Sequence, residues 1–290
     1  MDGEGCGPGC DEGGRPLKGI GISYGAVTVV NAIPCGRGAT LGIDLRTIAE
    51  FEPGGDTLNI RIDGAEPTDD ILARACVEDM HDELGVPCHG VLTIKSEIPV
   101  SRGLKSSSSA ANAICLAVRN AHGSDMDDLE TIRVGCRSSI GAGVSITGAF
   151  DDACGCHLGG LVATDNLSMT VESRVLDVGD RMVLIHVPDQ RKEKKDIDPG
   201  SFRRHATEFQ DMMRTCIDQP FSTLIRNGRK VAEILGVDDS LVNRALDKGA
   251  LAAGVTGTGP AIVIIADDDV SRNLLDTEGP FLTCRLRCSA

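Results

Sequence analysis

The segment "PVSRGLKSSSSAANA", residues 99–113, places a glycine, a lysine and four consecutive serines directly before an apolar run. Serine runs are typical of linkers, but a linker is not normally followed by a sequence such as "AANAICLAVRNA". Ala111, Ile114 and Val118 lie at helical spacing in that run. The segment therefore predicts a loop that leads directly into a helix.

The composition of this loop is that of a phosphate-binding site. Small residues before a helix let several backbone N–H groups approach a polyanion, and the helix dipole adds about half a positive charge. Serine hydroxyls bond phosphate oxygens or coordinate magnesium, and Lys105 supplies a point charge. The segment is not a G-x-x-x-x-G-K-[ST] loop. Composition alone leaves phosphate binding and an ordinary helix-capping loop equally open.

The composition of the whole chain excludes several classes of function. Of its 290 residues, 41% are hydrophobic, 25% charged and only 2% aromatic, which is typical of a globular protein with an aliphatic core. Its net charge of −14 repels nucleic acid and anionic membranes, and stacking platforms for single-stranded nucleic acid need aromatic rings. No apolar run reaches the ~20 residues that span a bilayer. We therefore expect a cytoplasmic protein with no nucleic-acid or membrane partner.

The twelve cysteines do not follow a metal-binding pattern. The close pairs lack Cys-x-x-Cys spacing: Cys6 and Cys10, Cys154 and Cys156, Cys284 and Cys288. Cys154, Cys156 and His157 form one candidate group of metal ligands. In a long chain with no secretory signal, we interpret these residues as buried reduced thiols.

The order of the predicted elements favours an α+β fold, because helices and strands are interleaved without strict alternation. Strands are predicted over 20–33, 36–53, 57–64, 90–100 and 181–188, with a final apolar strand after the glycine loop at 254–261. Helices are predicted over 67–84, after the serine loop, and near 126–138, 201–217, 221–235 and 239–252. We divide the chain into a flexible, glycine-rich extension (1–19), an N-terminal domain (20–175) and a C-terminal domain (176–290).

Two further segments point to chemistry. "ITGAFDDACGCHLGG" sets Asp151 and Asp152 among small and apolar residues, where carboxylates are costly to bury without a partner or a task. A helix-capping aspartate is the simpler interpretation. "GVTGTGPA", residues 254–261, is a second small-residue loop that allows close approach to a ligand, or else a plain turn before a strand.

Together these three segments resemble the GHMP kinases, the superfamily of galactokinase, homoserine, mevalonate and phosphomevalonate kinases. "PVSRGLKSSSSAA" is similar to the family's P-x-x-x-G-L-G-S-S-A-A loop, with Lys105 in place of the middle glycine. This G-L-K-S-S-S form resembles the archaeal-type shikimate kinases. So do "GAVTVVNAIPCGRGATLGIDL", "GVSITGAFDDA" and "TGTGPA", and the four motifs occur in order over nearly the whole chain after residue 20.

The resemblance implies a two-domain α+β fold, with a left-handed βαβ crossover in the N-terminal domain and a ferredoxin-like C-terminal domain. It also implies transfer of the ATP γ-phosphoryl group to the 3-hydroxyl of shikimate, with Mg²⁺. The alternatives are another GHMP kinase, acting on mevalonate or homoserine, and a non-catalytic nucleotide-binding relative. "ITGAFDD" differs from the Ser-Gly-Val/Ile-Asp pattern of mevalonate kinases, and the retained acids and Lys105 argue against lost catalysis.

The resemblance also assigns residues to the site. Binding of ATP is implied for Pro99, Arg102, Gly103, Leu104, Lys105, Ser106, Ser107, Ser108 and Ser109, although Ser109 can also belong to the helix cap. Ser107 or Ser108 is the candidate magnesium ligand. Lys105 offsets phosphate charge, and Asp152 or, with a one-residue gap, Asp151 orients or deprotonates the attacking hydroxyl. The magnesium-binding glutamate that many members carry has no counterpart in "RSSIGAGVSITG".

Shikimate carries a carboxylate and several hydroxyls, so its pocket needs a cation and hydrogen-bonding groups. The candidates in family-like segments are Arg37, Asp44 and Thr147, together with Thr256, Gly257, Thr258 and Gly259, which close over the acceptor or the phosphate. Arg204 and His205 are weaker candidates, for which a solvated helix face is the simpler interpretation.

Overall fold

The computed structural model describes residues 18–63, 70–100, 102–145, 147–188 and 198–288. Residues 1–17, most of the predicted extension, lie outside this set. The strands are β1 (Gly19–Val30), β2 (Arg37–Pro53), β3 (Leu58–Ile62), β4 (Gly90–Ser96), β5 (Leu161–Asp165), β6 (Thr170–Val175), β7 (Met182–His186), β8 (Ala252–Val255), β9 (Ile262–Ala266) and β10 (Leu282–Arg285). The helices are α1 (Ile71–Leu84), α2 (Ser106–Ala121), α3 (Asp128–Gly141), α4 (Phe150–Leu158), α5 (Pro199–Arg203), α6 (Ala206–Thr215), α7 (Pro220–Leu235), α8 (Ser240–Asp247) and α9 (Asp268–Glu278).

The described residues form two compact units, and the long strand β2 contributes to both. The first unit takes the described residues within Met1–Ser23, Arg46–Glu97 and Ser107–Gly148. The second takes those within Tyr24–Leu45, Ile98–Ser106 and Ala149–Ala290. The domain boundary expected at 175/176 stays a prediction.

The first unit is built around a βαβ crossover. Strands β3 and β4 pair in parallel and are joined by α1, while the second half of β2 pairs antiparallel with β4. Phe51, Met80 and Ile114 are fully buried in the core between this sheet and its helices. The left hand expected for the crossover stays a prediction.

Helix α2 lies unusually close to β1 within the first unit. A Cβ on Gly21 would lie 2.0 Å from the carbonyl oxygen of Ala113, and one on Gly19 would lie 2.0 Å from that of Ala117. Only glycine on the strand opposite alanine on the helix allows this approach. The small residues thus fix the helix that begins at Ser106.

The second unit contains a sheet of ferredoxin-like topology. Its strand order is β10-β7-β9-β8, with every neighbouring pair antiparallel. Helices α5 to α8 connect β7 to β8, and α9 connects β9 to β10, which gives the βαββαβ pattern. In the same unit, the first half of β2 pairs with β5, and β5 pairs with β6. The predicted α+β fold with a ferredoxin-like C-terminal part is confirmed.

The glycine-rich middle of the chain departs from the secondary structure predicted from the sequence. Residues 143–166 contain α4 and β5, which have no clear periodic pattern because both are almost entirely buried. The helix predicted over 201–217 is divided between α5 and α6 at Arg204 and His205. The helix predicted over 239–252 ends at Asp247, and β8 follows. Helix α9 and strand β10 were not predicted. Among the described residues, no helix is long and apolar enough to cross a membrane.

Candidate active site

The predicted nucleotide loop is anchored in the second unit by Leu104, which is 1% exposed and belongs to the hydrophobic core. Its neighbours Gly103 and Lys105 have φ angles of +86° and +66°. The left-handed region is costly for a residue with a side chain, so the backbone of Lys105 is strained. Arg102 of the same loop donates a hydrogen bond to the carbonyl oxygen of Pro188, and Pro99 is half-buried.

The serines that follow Lys105 form the first turn of α2. Ser106 and Ser107 are half-buried, Ser108 is 9% exposed and Ser109 is fully buried. The hydroxyl of Ser109 has no hydrogen-bond partner among the described residues. Its side chain therefore does not cap the helix in this structure. The free N–H groups of this first turn and its dipole favour an anion.

Helix α4 rests on one face of β2, against residues 38, 40 and 42. A Cβ on Gly38 would lie 2.3 Å from Asp151 Oδ2, and one on Gly155 would lie 2.0 Å from Thr40 Oγ1. A Cβ on Gly42 would lie 2.9 Å from the Cα of Gly159. The spacing Gly-x-Thr-x-Gly on β2 therefore forms a flat surface for the helix that carries the two acids.

Asp151 is held in place on every side. Its Oδ1 accepts a hydrogen bond of 2.7 Å from Asn166 Nδ2, and its own N–H donates to Asn166 Oδ1 at 3.0 Å. Thr164 Oγ1 donates to the same Asn166 oxygen, and Thr40 Oγ1 donates to the Asp151 carbonyl. Burial, and then the neighbouring charge of Asp152, raise the pKa of Asp151 to about 7, although Lys105 and Asn166 oppose the shift.

Asp152 forms a buried ion pair with the lysine of the nucleotide loop. Lys105 Nζ lies 2.8 Å from Asp152 Oδ1, and the two side chains are 8% and 12% exposed. Burial lowers the pKa of Lys105, but the charges of Asp152 and Asp151 outweigh it and hold that pKa above its usual value. The lysine is therefore a permanent cation, fixed between the loop and the acids.

The third predicted segment meets the same cluster. Thr256 Oγ1 donates to the carbonyl of Gly103 at 3.3 Å, and a Cβ on Gly257 would lie 3.3 Å from Lys105 Nζ. Gly257 is held by Thr28 Oγ1, which accepts from its N–H, and by Asn31 Nδ2, which donates to its carbonyl. The structure thus brings Gly103, Lys105, both acids, Thr256 and Gly257 together in one unit.

The other predicted substrate residues have different surroundings. Arg37 Nη2 pairs with Glu172 Oε2 at 2.6 Å and is adjacent in the chain to Gly38. Asp44 is exposed and accepts a hydrogen bond from the backbone N–H of Arg285 at 2.7 Å. Thr147 belongs to the first unit. Thr258 is half-buried and Gly259 is buried in the loop after β8.

Sequence reasoning missed the residues that hold the acids and the loops. Asn166, Thr40, Thr28 and Asn31 are all buried polar side chains with the partners described above. Their one signal is an uncharged polar residue within a buried strand or directly after one, and that signal is common to many structural residues. Of the weaker candidates, Arg204 lies at the C-terminal end of α5. His205 Nδ1 lies 2.8 Å from Glu208 Oε1.

The donor atoms near the loop suit a hard cation shared with a nucleotide. Among the described residues, no group of three or more His, Cys, Asp or Glu side chains is arranged to hold a metal ion. Cys154 and Cys156 are buried and form no disulfide bond, as predicted. The oxygen donors near the loop are serine hydroxyls and one carboxylate. Mg²⁺ prefers such oxygens together with those of phosphate and water. The residues therefore fit Mg²⁺ bound mainly through a nucleotide.

The titration of Asp151 has a consequence for the stability of the fold. Its pKa is about 7 in the folded chain and ~3.9 in an unfolded one. Between these values the folded state holds a proton that the unfolded state has lost. The stability from this group is complete below pH ~4 and falls as the pH rises to ~7, by at most about 1.4 kcal/mol per pH unit.

We expect Asp151→Asn to remove this pH dependence, because asparagine does not titrate. Urea unfolding of both proteins between pH 4 and 8 measures the difference in their free energies of unfolding, in which the other titrating groups largely cancel. As the pH rises to about 7, the free energy of unfolding of the variant should increase relative to that of the wild type. Above about pH 7 the difference between the two should stay constant. A difference that is constant across the range would contradict the raised pKa.

Comparison with known proteins places these features in a family. The model of the GHMP kinases N terminal domain matches residues 71–160, and that of the GHMP kinases C terminal domain matches residues 194–276. A protein named shikimate kinase from Methanothrix thermoacetophila is 36% identical over 253 residues, which cover 87% of this chain and 86% of that protein. One of the same name from Pyrococcus abyssi is 34% identical over 256 residues, covering 87% and 93%.

Solved structures with the same fold include a mevalonate kinase and a galactokinase. The Methanococcus jannaschii mevalonate kinase aligns with a TM-score of 0.75 at 15% identity, over 93% of this chain and 98% of that one. Lactococcus lactis galactokinase in complex with galactose aligns with a TM-score of 0.73 at 14% identity, over 94% of each chain. At such identities the likeness establishes the fold and leaves the acceptor open.

Proposed function

Since the chain belongs to the GHMP kinases, and within them to the family of the archaeal proteins named shikimate kinase, we propose that it phosphorylates the 3-hydroxyl of shikimate with ATP. The products are shikimate 3-phosphate and ADP. The choice of acceptor is supported by relatives at 34–36% identity that cover most of the chain.

The buried ion pair between Lys105 and Asp152 carries the proposal for the chemistry. One partner belongs to the nucleotide loop and the other to the acidic helix, and 2.8 Å separates them. Phosphoryl transfer needs an acceptor hydroxyl, a phosphate and a neutralising charge in close contact. A cation fixed beside a carboxylate meets that requirement.

We assign the role of base to Asp152 rather than to Asp151. Both oxygens of the Asp151 carboxylate are occupied, because Oδ1 accepts a hydrogen bond from Asn166 and Oδ2 lies against Gly38. The carboxylate of Asp152 contacts Lys105, next to the residues proposed to bind the phosphates. Asp152 then orients the acceptor hydroxyl and takes its proton at a distance of ~2.6–3.2 Å. Asp151 acts as a positioning residue.

The nucleotide is held, in this proposal, by the loop from Pro99 to Ser109. Backbone N–H groups of the first turn of α2 bind phosphate oxygens, and Lys105 neutralises the charge that develops on the transferred group. Ser107 or Ser108 would hold Mg²⁺ together with phosphate oxygens, and the bound ion would supply further charge neutralisation. Arg37, Asp44, Thr147 and residues 256–259 stay predictions as substrate-binding residues. The cytoplasmic location also stays a prediction.

The proposal is tested by measuring ADP release from Mg-ATP with shikimate, mevalonate and homoserine in parallel. We expect rapid turnover with shikimate alone, because relatives at 34–36% identity over most of the chain are named shikimate kinase. Turnover only with mevalonate or homoserine would retain the superfamily and overturn the acceptor. Nucleotide binding without turnover on any of the three would favour the non-catalytic alternative.

A further inference from the structure

The C-terminal end of α4 is bonded by two arginines that no part of the site described so far uses. Arg287 Nη2 donates to the carbonyls of Cys156 at 3.0 Å and His157 at 2.8 Å. Arg174 donates to the carbonyls of Leu158 and, at 3.4 Å, of Gly159. The last carbonyls of a helix have no partner within it. Guanidinium groups bond these four and complement the negative end of the helix dipole.

Of the two arginines, Arg287 is the buried one, with 9% exposure. Its guanidinium carbon lies 4.1 Å from the centre of the Tyr24 ring. Its backbone is held too, since its N–H donates to the carbonyl of Gly42 at 2.9 Å and its carbonyl accepts from Gly160 at 2.7 Å. Burial lowers the pKa of Arg287 from a value so high that the group stays charged. Because its backbone and side chain are both held, Arg287 restrains the two helix carbonyls that it bonds.

The opposite end of this helix carries the acids. Helix α4 has nine residues, a length of ~13 Å, over which a helix transmits a tilt or shift of one end to the other. At the N-terminal end Asp151 is held by Asn166, and no side chain caps the helix at Ala149. Asn166 and the packing on β2 restrain the N-terminal half of the helix, and the two arginines restrain its C-terminal end.

We propose that Arg287 is a positioning residue for phosphoryl transfer: by binding the C-terminal carbonyls of α4, it holds Asp152 at the other end in register with Lys105. This inference rests on the proposed function for its kinetic consequence. It places a determinant of catalysis at the far end of the catalytic helix, outside every motif that identifies the family.

The test is Arg287→Ala, with Arg285→Ala as the matched control. Arg285 lies two residues earlier and pairs with Asp180 at the surface, so its loss should leave turnover unchanged. For Arg287→Ala we expect kcat to fall by about 10- to 100-fold, the effect of a small misplacement of a reacting group. The KM values for ATP and shikimate should change little. Added guanidinium at non-denaturing concentration should restore part of kcat in this variant and not in the control.

The proposal would be overturned by an unchanged kcat, by a change in KM without a fall in kcat, or by an equal fall in kcat in Arg285→Ala. If Arg287→Ala does not fold, Arg287→Lys replaces it, because lysine keeps the charge and loses the fork of donors. We then expect a smaller fall in kcat with unchanged KM values. Full activity of Arg287→Lys together with unchanged amide exchange in α4 would contradict a positioning role.

Amide hydrogen exchange separates this proposal from the proposed function, because it requires no acceptor. We expect exchange across residues 150–158 to accelerate in Arg287→Ala relative to Arg285→Ala, including the first turn that holds Asp152. Unchanged exchange there would overturn the positioning role even if shikimate is phosphorylated. Accelerated exchange in a protein without shikimate turnover would support the positioning role and overturn the proposed function.

Discussion

Replacing Asp152 by asparagine is expected to reduce kcat for shikimate by about 10²- to 10⁴-fold, the range associated with losing a general base. The amide keeps the shape of the side chain, but it accepts no proton and does not form an ion pair with Lys105. KM for ATP should change much less than kcat. Rapid-quench measurement of phosphate transfer isolates the chemical step from product release.

Two variants provide the controls for this prediction. Asp276→Asn removes an exposed carboxylate on α9 and should leave kcat unchanged. Asp151→Asn should lose less than Asp152→Asn, because Asp151 acts through the position and charge of its neighbour. A larger loss for Asp151→Asn would transfer the role of base to Asp151.

Replacing Lys105 by methionine should affect both turnover and stability. Removing one donor to a developing oxyanion typically costs about 10²–10³ in kcat. Removing one partner of a buried ion pair costs about 3–5 kcal/mol in the free energy of unfolding, because the other charge stays buried. The double variant with Asp152→Asn should recover part of that stability, since neither charge is then unpaired. Denaturant unfolding and steady-state kinetics measure the two effects.

The left-handed backbone at residue 105 allows a sharper control. Lys105→Gly and Lys105→Ala remove the same charge, so they should lose the same kcat. Only glycine adopts φ +66° without a Cβ clash. Lys105→Gly should therefore be more stable than Lys105→Ala by about 1–2 kcal/mol. Equal stability of the two variants would contradict the strain, and near-normal kcat in both would remove Lys105 from the chemistry.

The sequence predicted the parts of the site whose residue types are themselves unusual. The serine run before a helix, the paired acids among small residues and the glycine loop were each ambiguous alone, but their order along the chain pointed to the family, and Lys105 in the serine loop pointed to the subfamily. Periodicity likewise predicted β1 to β4 and, in the second half, α7 and the approximate positions of α6 and α8, because the buried residues of these elements recur at regular spacing. These features depend on local pattern alone.

What the sequence did not predict depends on contacts between distant segments. Helix α4 is buried on nearly all sides, so it has no polar face to mark its period. Asn166 and Arg287 reach it from positions 15 and about 130 residues away. The choice between Asp151 and Asp152 required the observation that Gly38 and Asn166 enclose one and Lys105 pairs with the other.

The most direct test of the account is the identity of the product formed by the wild-type chain from Mg-ATP and shikimate. Phosphorus NMR with coupling to the ring protons locates the new ester on the ring, and ADP is measured in the same sample. The account predicts one phosphomonoester at the 3-hydroxyl, equal in amount to ADP, and almost none with Asp152→Asn. ADP without the ester, or an ester on a different hydroxyl, would contradict it.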